Sequence, residues 1–188
     1  MTDLMRYAAA LEGLEWGALP PVESWRPERV GEIDIVIKAD GAWVHKGAPI
    51  ERARLVRLFS TILRRDGEDY FLVTPAEKLK IRVEDAPFLA VLMETAYSGA
   101  RREITFTTNL GERVSADRDH AIRLRSGPGG DEVPYIEVRR GLEARIARSV
   151  YYDLVALAER RHMGNEDVYG VWSCGEFFKF GAIGPDGD

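Results

Sequence analysis

Short stretches rich in β-branched and aromatic residues alternate along the chain with turn-forming pairs, which predicts many short strands. Ile33 to Ile37 (IDIVI) reads as a strand running into the tight turn Asp40-Gly41. Trp43, Val44 and His45 return beside it, with His45 facing outward. Apolar positions recur at helical spacing from Glu51 to Arg65, placing Leu55, Leu58, Phe59, Ile62 and Leu63 on one face. Tyr70 to Val73 and Leu79 to Val83 follow as strands. Phe88 to Thr95 is apolar throughout, and its neighbours favour a strand. Further strands are expected over Glu103–Thr108, Arg113–Ala116, Ala121–Leu124 and Pro134–Arg139. A long helix is expected from about Leu142 to Arg161, then a hairpin over Tyr169–Phe180 turning at Cys174-Gly175. At the ends, Met1 to Leu14 reads as a short helix, Gly17 to Pro27 as a Pro-rich connector, and Gly184 to Asp188 as a frayed tail.

Composition narrows the partners. Among 188 residues, 31 acids face 26 bases, for a formal charge of −5. Nucleic-acid binders draw affinity from neutralising phosphates and are usually basic, so nucleic acid is not expected as a partner. No apolar run reaches the ~20 residues of a membrane helix, and the first residues lack the features of a signal peptide. The expectation is a soluble cytoplasmic protein with no membrane partner. The single cysteine, Cys174, excludes an intrachain disulfide and a multi-cysteine zinc site.

Two readings follow from position. The helices over 51–65 and 142–161 align without a gap, Arg54 and Arg57 falling on Arg145 and Arg148, and Leu63 on Leu154. Arg145, Arg148 and Tyr152 then form one stripe. This suggests an internal duplication into two α+β halves facing a common cleft; solvated arginine faces are the plainer reading. Asp153 falls on the apolar side of the second helix, either at its exposed edge or paired at an interface.

Catalytic motifs are absent. Ser126 to Gly130 is glycine-rich, but Asp131-Glu132 follows where a phosphate loop needs Lys and Ser/Thr. His45, His120 and His162 lack partners at metal-ligand spacing, so no metal and no cofactor are expected. His120 follows Asp117-Arg118-Asp119, and a turn histidine with local hydrogen bonds is the commoner case. His162 reads as a surface residue near a helix end. Cys174 and Ser173 lie in a turn without a visible activating base or a nucleophile elbow.

Several segments carry a family resemblance: Asp40-Gly-Ala-Trp-Val-His-Lys-Gly-Ala-Pro-Ile50, Val73-Thr-Pro-Ala-Glu-Lys78, Val83-Glu-Asp-Ala-Pro-Phe88, Phe106-Thr-Thr-Asn109, Pro134-Tyr-Ile-Glu-Val-Arg139 and Gly170-Val-Trp-Ser173. In order, and spanning roughly residues 16 to 181, they resemble the bacterial family of domain of unknown function 1285. The resemblance implies a two-domain α+β protein with a duplicated motif, its second half loosely like pleckstrin-homology folds. It also implies a nucleotide-like ligand at the domain interface and a role in signal transduction.

The resulting expectation is an N-terminal segment over 1–28, a first α+β domain over 29–99, a second over 100–183, and a tail over 184–188. The function expected is non-catalytic sensing of a nucleotide-like anion. Arg139, Arg145 and Arg148 would hold phosphate or carboxylate bidentately, Tyr152 would stack or hydrogen-bond, and Thr74, Glu77 and Asn109 would read polar groups, with His120 beside them. The alternatives are a protein-interaction module, its partner covering a sheet edge or the surface of Trp16, Trp25 and Trp43, and an enzyme acting through His120 or Cys174.

Overall fold

Alternation of buried and exposed side chains turns most of the expected segments into strands of a computed structural model, which describes residues 19–164 and 166–182. The expected helix over Met1 to Leu14, Trp16 and the tail lie outside those residues. The chain divides into two units between Glu84 and Asp85. Gly99, the expected boundary, instead follows the end of a strand within the second unit. Among the described residues the protein is mostly β, with two helices.

The first unit holds β1 (Arg29–Ile37), β2 (Trp43–His45), β3 (Ala48–Pro49), α1 (Ala53–Thr61), β4 (Leu63–Asp66), β5 (Asp69–Val73) and β6 (Glu77–Val83). Its sheet has the order β3-β2-β1-β6-β5-β4, antiparallel except where β1 runs parallel to β6. Ile35, Ile37, Trp43, Phe59, Ile62, Leu63 and Val73 form the core. The Trp43 and Phe59 rings stack with centroids 6.4 Å apart. Trp43 is therefore a core residue, not part of an exposed tryptophan surface. His45 is also buried: it shares the inward face of β2 with Trp43, and β2 is flanked by β1 and β3.

The first helix stops four residues early. Ser60 and Thr61 donate their hydroxyls to the carbonyls of Arg57 and Leu58, a backbone competition that weakens a last turn. Leu63 to Asp66 then pairs with β5 (Leu63 opposite Leu72), so sheet formation overrides helical periodicity.

Arg64 on β4 ties down the Pro-rich connector. Its buried guanidinium donates to the carbonyls of Val22 (2.9 Å) and Trp25 (3.1 Å) and pairs with Asp66, which also binds Lys78. Burial would raise the Asp66 pKa, but hydrogen bonds from Lys78 and Arg64 outweigh it and hold the carboxyl below its ordinary 3.8. A depressed acid stabilises the fold above its unfolded pKa and loses that contribution as pH falls through the folded value. Asp66→Asn is therefore expected to lower the urea midpoint at pH 7 and to differ progressively less from the parent as pH falls below 3.8. Equal differences at both pH values would contradict this.

The second unit holds β7 (Phe88–Ser98), β8 (Arg101–Thr108), β9 (Arg113–Ser115), β10 (Ile122–Ser126), β11 (Glu132–Arg139), β12 (Leu142–Ile146) and α2 (Arg148–Ala156). A three-stranded antiparallel sheet of β13 (Glu159–Met163), β14 (Glu166–Ser173) and β15 (Glu176–Ala182) follows. The six-stranded sheet has the order β10-β11-β12-β7-β8-β9, with β7 and β12 parallel. Phe88, Ile104, Phe106, Ile136, Leu142 and Ile146 fill its core.

The long second helix of the sequence reading is three elements. Leu142, Ala144 and Ile146 are buried while Glu143 and Arg145 are not, a period of two that marks a strand. Arg140 and Gly141, at φ 48° and 76°, supply the left-handed pair of a two-residue hairpin turn that launches β12. Only Arg148–Ala156 is helical, and it buries just Val150 and Leu154. Arg145 thus lies on a strand and cannot share a helical stripe with Arg148 and Tyr152. The proposed alignment of the two helices fails with it.

Candidate functional site

β10, β11 and β12 lie side by side, and their register sets Arg123 opposite Tyr135 and Tyr135 opposite Arg145. Residues directly opposite in a sheet share a face. Ile122, Ile136 and Ala144 form the adjacent row, which faces the core and is buried. The other face carries a polar network built on Asp85.

Asp85 opens the second unit, and its side chain is 1% exposed. A carboxylate there is costly unless paired and hydrogen-bonded. It accepts hydrogen bonds from the Tyr135 hydroxyl at 2.6 Å and Arg145 Nη1 at 3.3 Å, and Arg125 Nη1 lies 3.8 Å away as an ion pair. Arg125 Nε lies 3.3 Å from Glu143 Oε2, and its guanidinium covers the Tyr135 ring 3.5 Å from the centroid. Tyr135 is consequently fully buried. Burial first, and the bond to Asp85 second, push its pKa up to about 12. Both arginines remain about a third exposed. The buried acid holds Arg145 by a hydrogen bond and Arg125 by a longer ion pair, and part of each arginine side chain stays exposed.

The remaining expected site residues are held locally. Arg139 pairs with Glu112 and lies over the Phe88 ring, and burial lowers its pKa to about 10, helped by the neighbouring Arg140 charge. Arg148 donates from Nε to the Tyr152 hydroxyl at 2.8 Å, both on the exposed face of α2. Asp153 is exposed on that helix too. Asn109 closes onto β7, donating its amide to the Leu89 carbonyl and accepting the Leu89 amide on Oδ1. Thr74 and Glu77 belong to the first unit, where the Thr74 hydroxyl accepts the Glu77 amide across the turn before β6. His120 sits in a turn with Nδ1 2.9 Å from Asp117 Oδ1. Burial would raise the Asp117 pKa, but bonds from the His120 amide and ring and the Asp119 amide hold it low.

Cys174 is exposed at a hairpin turn with φ 52°, and His162 is exposed on β13 beside Asp167 rather than near a helix end. Among the described residues no group of three or more His, Cys, Asp or Glu is placed to hold a metal ion, and no helix is long and apolar enough to cross a membrane.

Of the expected arginines, the network contains Arg145 alone. Asp85, Arg125 and Tyr135 were not foreseen. The alternation Ile122-Arg-Leu-Arg125 does place Arg123 and Arg125 on one face of a strand; what sequence does not give is the pairing that sets Tyr135 and Arg145 beside them.

A second feature lies along the edge of the same sheet. An open groove of about 630 Å³ is lined by Ala121 to Leu124 and Glu132 on one side and by Phe177 to Phe180 on the other. Its two walls are edge strands of different sheets, β10 and β15.

A crystal structure of a DUF1285 family protein from Silicibacter pomeroyi is similar at a TM-score of 0.84 and 41% identity, over 94% of each chain. A second crystal structure, of a DUF1285 family protein from Shewanella baltica, gives 0.53 and 30% identity, over 65% of this chain and 90% of that one. No curated protein matches. The family model for the DUF1285 N-terminal domain, a domain of unknown function, matches residues 20–86. That for the C-terminal domain matches residues 87–180, so the boundary falls within two residues of the division seen in the fold. With both models matched in order across most of its length, the chain belongs to the DUF1285 family.

Proposed function

We propose that this is a non-catalytic binding protein that senses a nucleotide-like anion, with Arg125 and Arg145 on the outer face of the second unit's sheet as the anion contacts. The observation that carries this reading is the Asp85 network. Two arginine side chains are paired with a buried carboxylate while about a third of each stays exposed. Arginine held in this way loses little side-chain freedom on binding phosphate and presents a fork suited to its oxygens. Arg148 follows Arg145 by three residues, so their Cα atoms lie within about 11 Å, and Tyr152 offers an exposed ring on the same short helix. In a signalling role the bound state would be the one passed on to a cytoplasmic partner.

A duplication is supported by the sheets rather than by the helices. Both six-stranded sheets are two three-stranded meanders joined by one parallel seam, β1 with β6 and β7 with β12. The turns Lys38–Ala42 and Thr108–Glu112 repeat the same two backbone bonds and the same left-handed glycine, at φ 85° and 88°. The helix lies between the meanders in the first unit and after them in the second. That last arrangement, a six-stranded sheet followed by one helix, is what supports the looser pleckstrin-homology comparison, although three further strands come after the helix.

Thermal shift against a panel of nucleoside mono-, di- and triphosphates tests the function. A ligand at 100 times its dissociation constant adds about 2.7 kcal/mol. For a unit of this size that raises the melting point by roughly 10–20 °C. The shift should weaken in high salt and disappear in Arg145→Ala. A panel with no shift, or one that Arg145→Ala leaves unchanged, refutes the proposal.

A further inference from the structure

We infer that the segment Glu84 to Pro87, between β6 and β7, reports the binding of an anion at Arg125 and Arg145, because the bound anion tightens the hold of the second unit on Asp85. The inference rests on the anion reading and adds to it the element that changes when the site fills. That element is short and well placed: the two units divide within it, between Glu84 and Asp85.

Each residue of the segment is held on its own side of that division. Glu84 is bonded within the first unit. Its amide donates to the Ile37 carbonyl at 2.9 Å, and its carboxylate accepts from Lys38 Nζ at 2.6 Å and from the Ala39 amide at 3.2 Å, just after β1. Asp85 is bonded within the second unit, to the Tyr135 hydroxyl and Arg145, with Arg125 as an ion pair. Ala86 and Pro87 are buried, and the proline ring fixes its own φ. Two consecutive carboxylates thus bind different units, and no unheld residue separates them.

Within the network, Asp85 is the member that no strand carries. Arg125, Tyr135, Glu143 and Arg145 belong to β10, β11 and β12, whose backbones are fixed by ladder pairing. Asp85 lies outside every strand, so its buried carboxylate is what docks its stretch of chain on the sheet. Docking of that carboxylate also orders the two arginines. Coupling of this kind is reciprocal: the factor by which docked Asp85 improves anion affinity is the factor by which a bound anion favours docked Asp85. The strands can therefore stay as they are while the segment next to the first unit becomes more tightly held.

Hydrogen exchange followed by mass spectrometry on the full chain tests this, with ATP as one probe and inorganic triphosphate, the anion without a base, as the other. A bound probe should slow exchange over residues 84–88 by about tenfold. The turn Thr108–Glu112, in the same unit but outside the network, should exchange as before. Asp85→Asn keeps an acceptor for the Tyr135 hydroxyl but loses the charge that pairs with the arginines. Exchange over 84–88 should then be faster in the free protein, probe affinity should fall, and the slowing on binding should shrink with it. The parent protein alone decides the matter if that variant does not fold. Binding that depends on Arg145 but leaves exchange over 84–88 unchanged, or speeds it, overturns this inference and leaves the anion reading standing. Failure of both probes to bind overturns the two together.

Discussion

Asp85→Ala is expected to lower the stability of the second unit by about 3–5 kcal/mol, the cost of removing one partner from a buried charged network. The Tyr135 hydroxyl would be buried with nothing to accept its proton. Arg145 and Arg125 would lose the carboxylate that orients them, 3.3 and 3.8 Å away. The melting point should fall by roughly 15 °C or more. Tyr135→Phe removes one hydrogen bond and leaves the acid its arginines, so it should cost only about 1 kcal/mol. That ratio distinguishes a load carried by the acid from one carried by the ring. Near-equal losses in the two variants, measured by urea unfolding, would show that the carboxylate is not the centre of the network.

Gly170→Ala is expected to be as damaging for a steric reason. A Cβ on Gly170 would lie 2.4 Å from the Phe178 carbonyl oxygen and 2.6 Å from Phe177 Cζ. The Phe177 ring can turn away, but the carbonyl belongs to the backbone of β15, which pairs with β14 at that point. Relief requires the hairpin to open locally, at a cost of about 3 kcal/mol or more. Gly175→Ala, in the turn of the same hairpin, gives a useful contrast. It meets no atom within 4 Å and is penalised only by its φ of 86°. A Gly170→Ala protein melting with the parent would contradict the packing described for this sheet.

Strands were legible in the sequence wherever alternation was strict. Trp43–His45 has the expected bounds, and Phe88–Thr95 is a strand despite its continuous apolar run. The failure at Leu142–Arg161 has a definite origin. LEARI satisfies a period of two as well as helical spacing, and the deciding signal was the preceding Arg140-Gly141 turn, which makes a hairpin and not a helix start. His45 was placed outward because alternation gives two faces without saying which is inside; the flanking β1 and β3 decide it.

The candidate site was less legible for a related reason. Asn109, Thr74, Glu77 and His120 lie in or beside turns and are engaged there: Asn109 with the Leu89 amide of β7, Thr74 with the Glu77 amide, and the His120 ring with Asp117. The residues that do converge (Asp85, Arg125, Tyr135 and Arg145) come from β10, β11, β12 and the segment before β7. Such a set is defined by strand pairing over 60 residues of chain, and no local spacing encodes it.

The most direct measurement is a crystal of the protein grown with a nucleoside triphosphate at low salt. Density for phosphate within hydrogen-bond reach of the outer nitrogens of Arg125 and Arg145, with Asp85 still holding their inner side, is the predicted result. A nucleotide bound away from both guanidinium groups would contradict it.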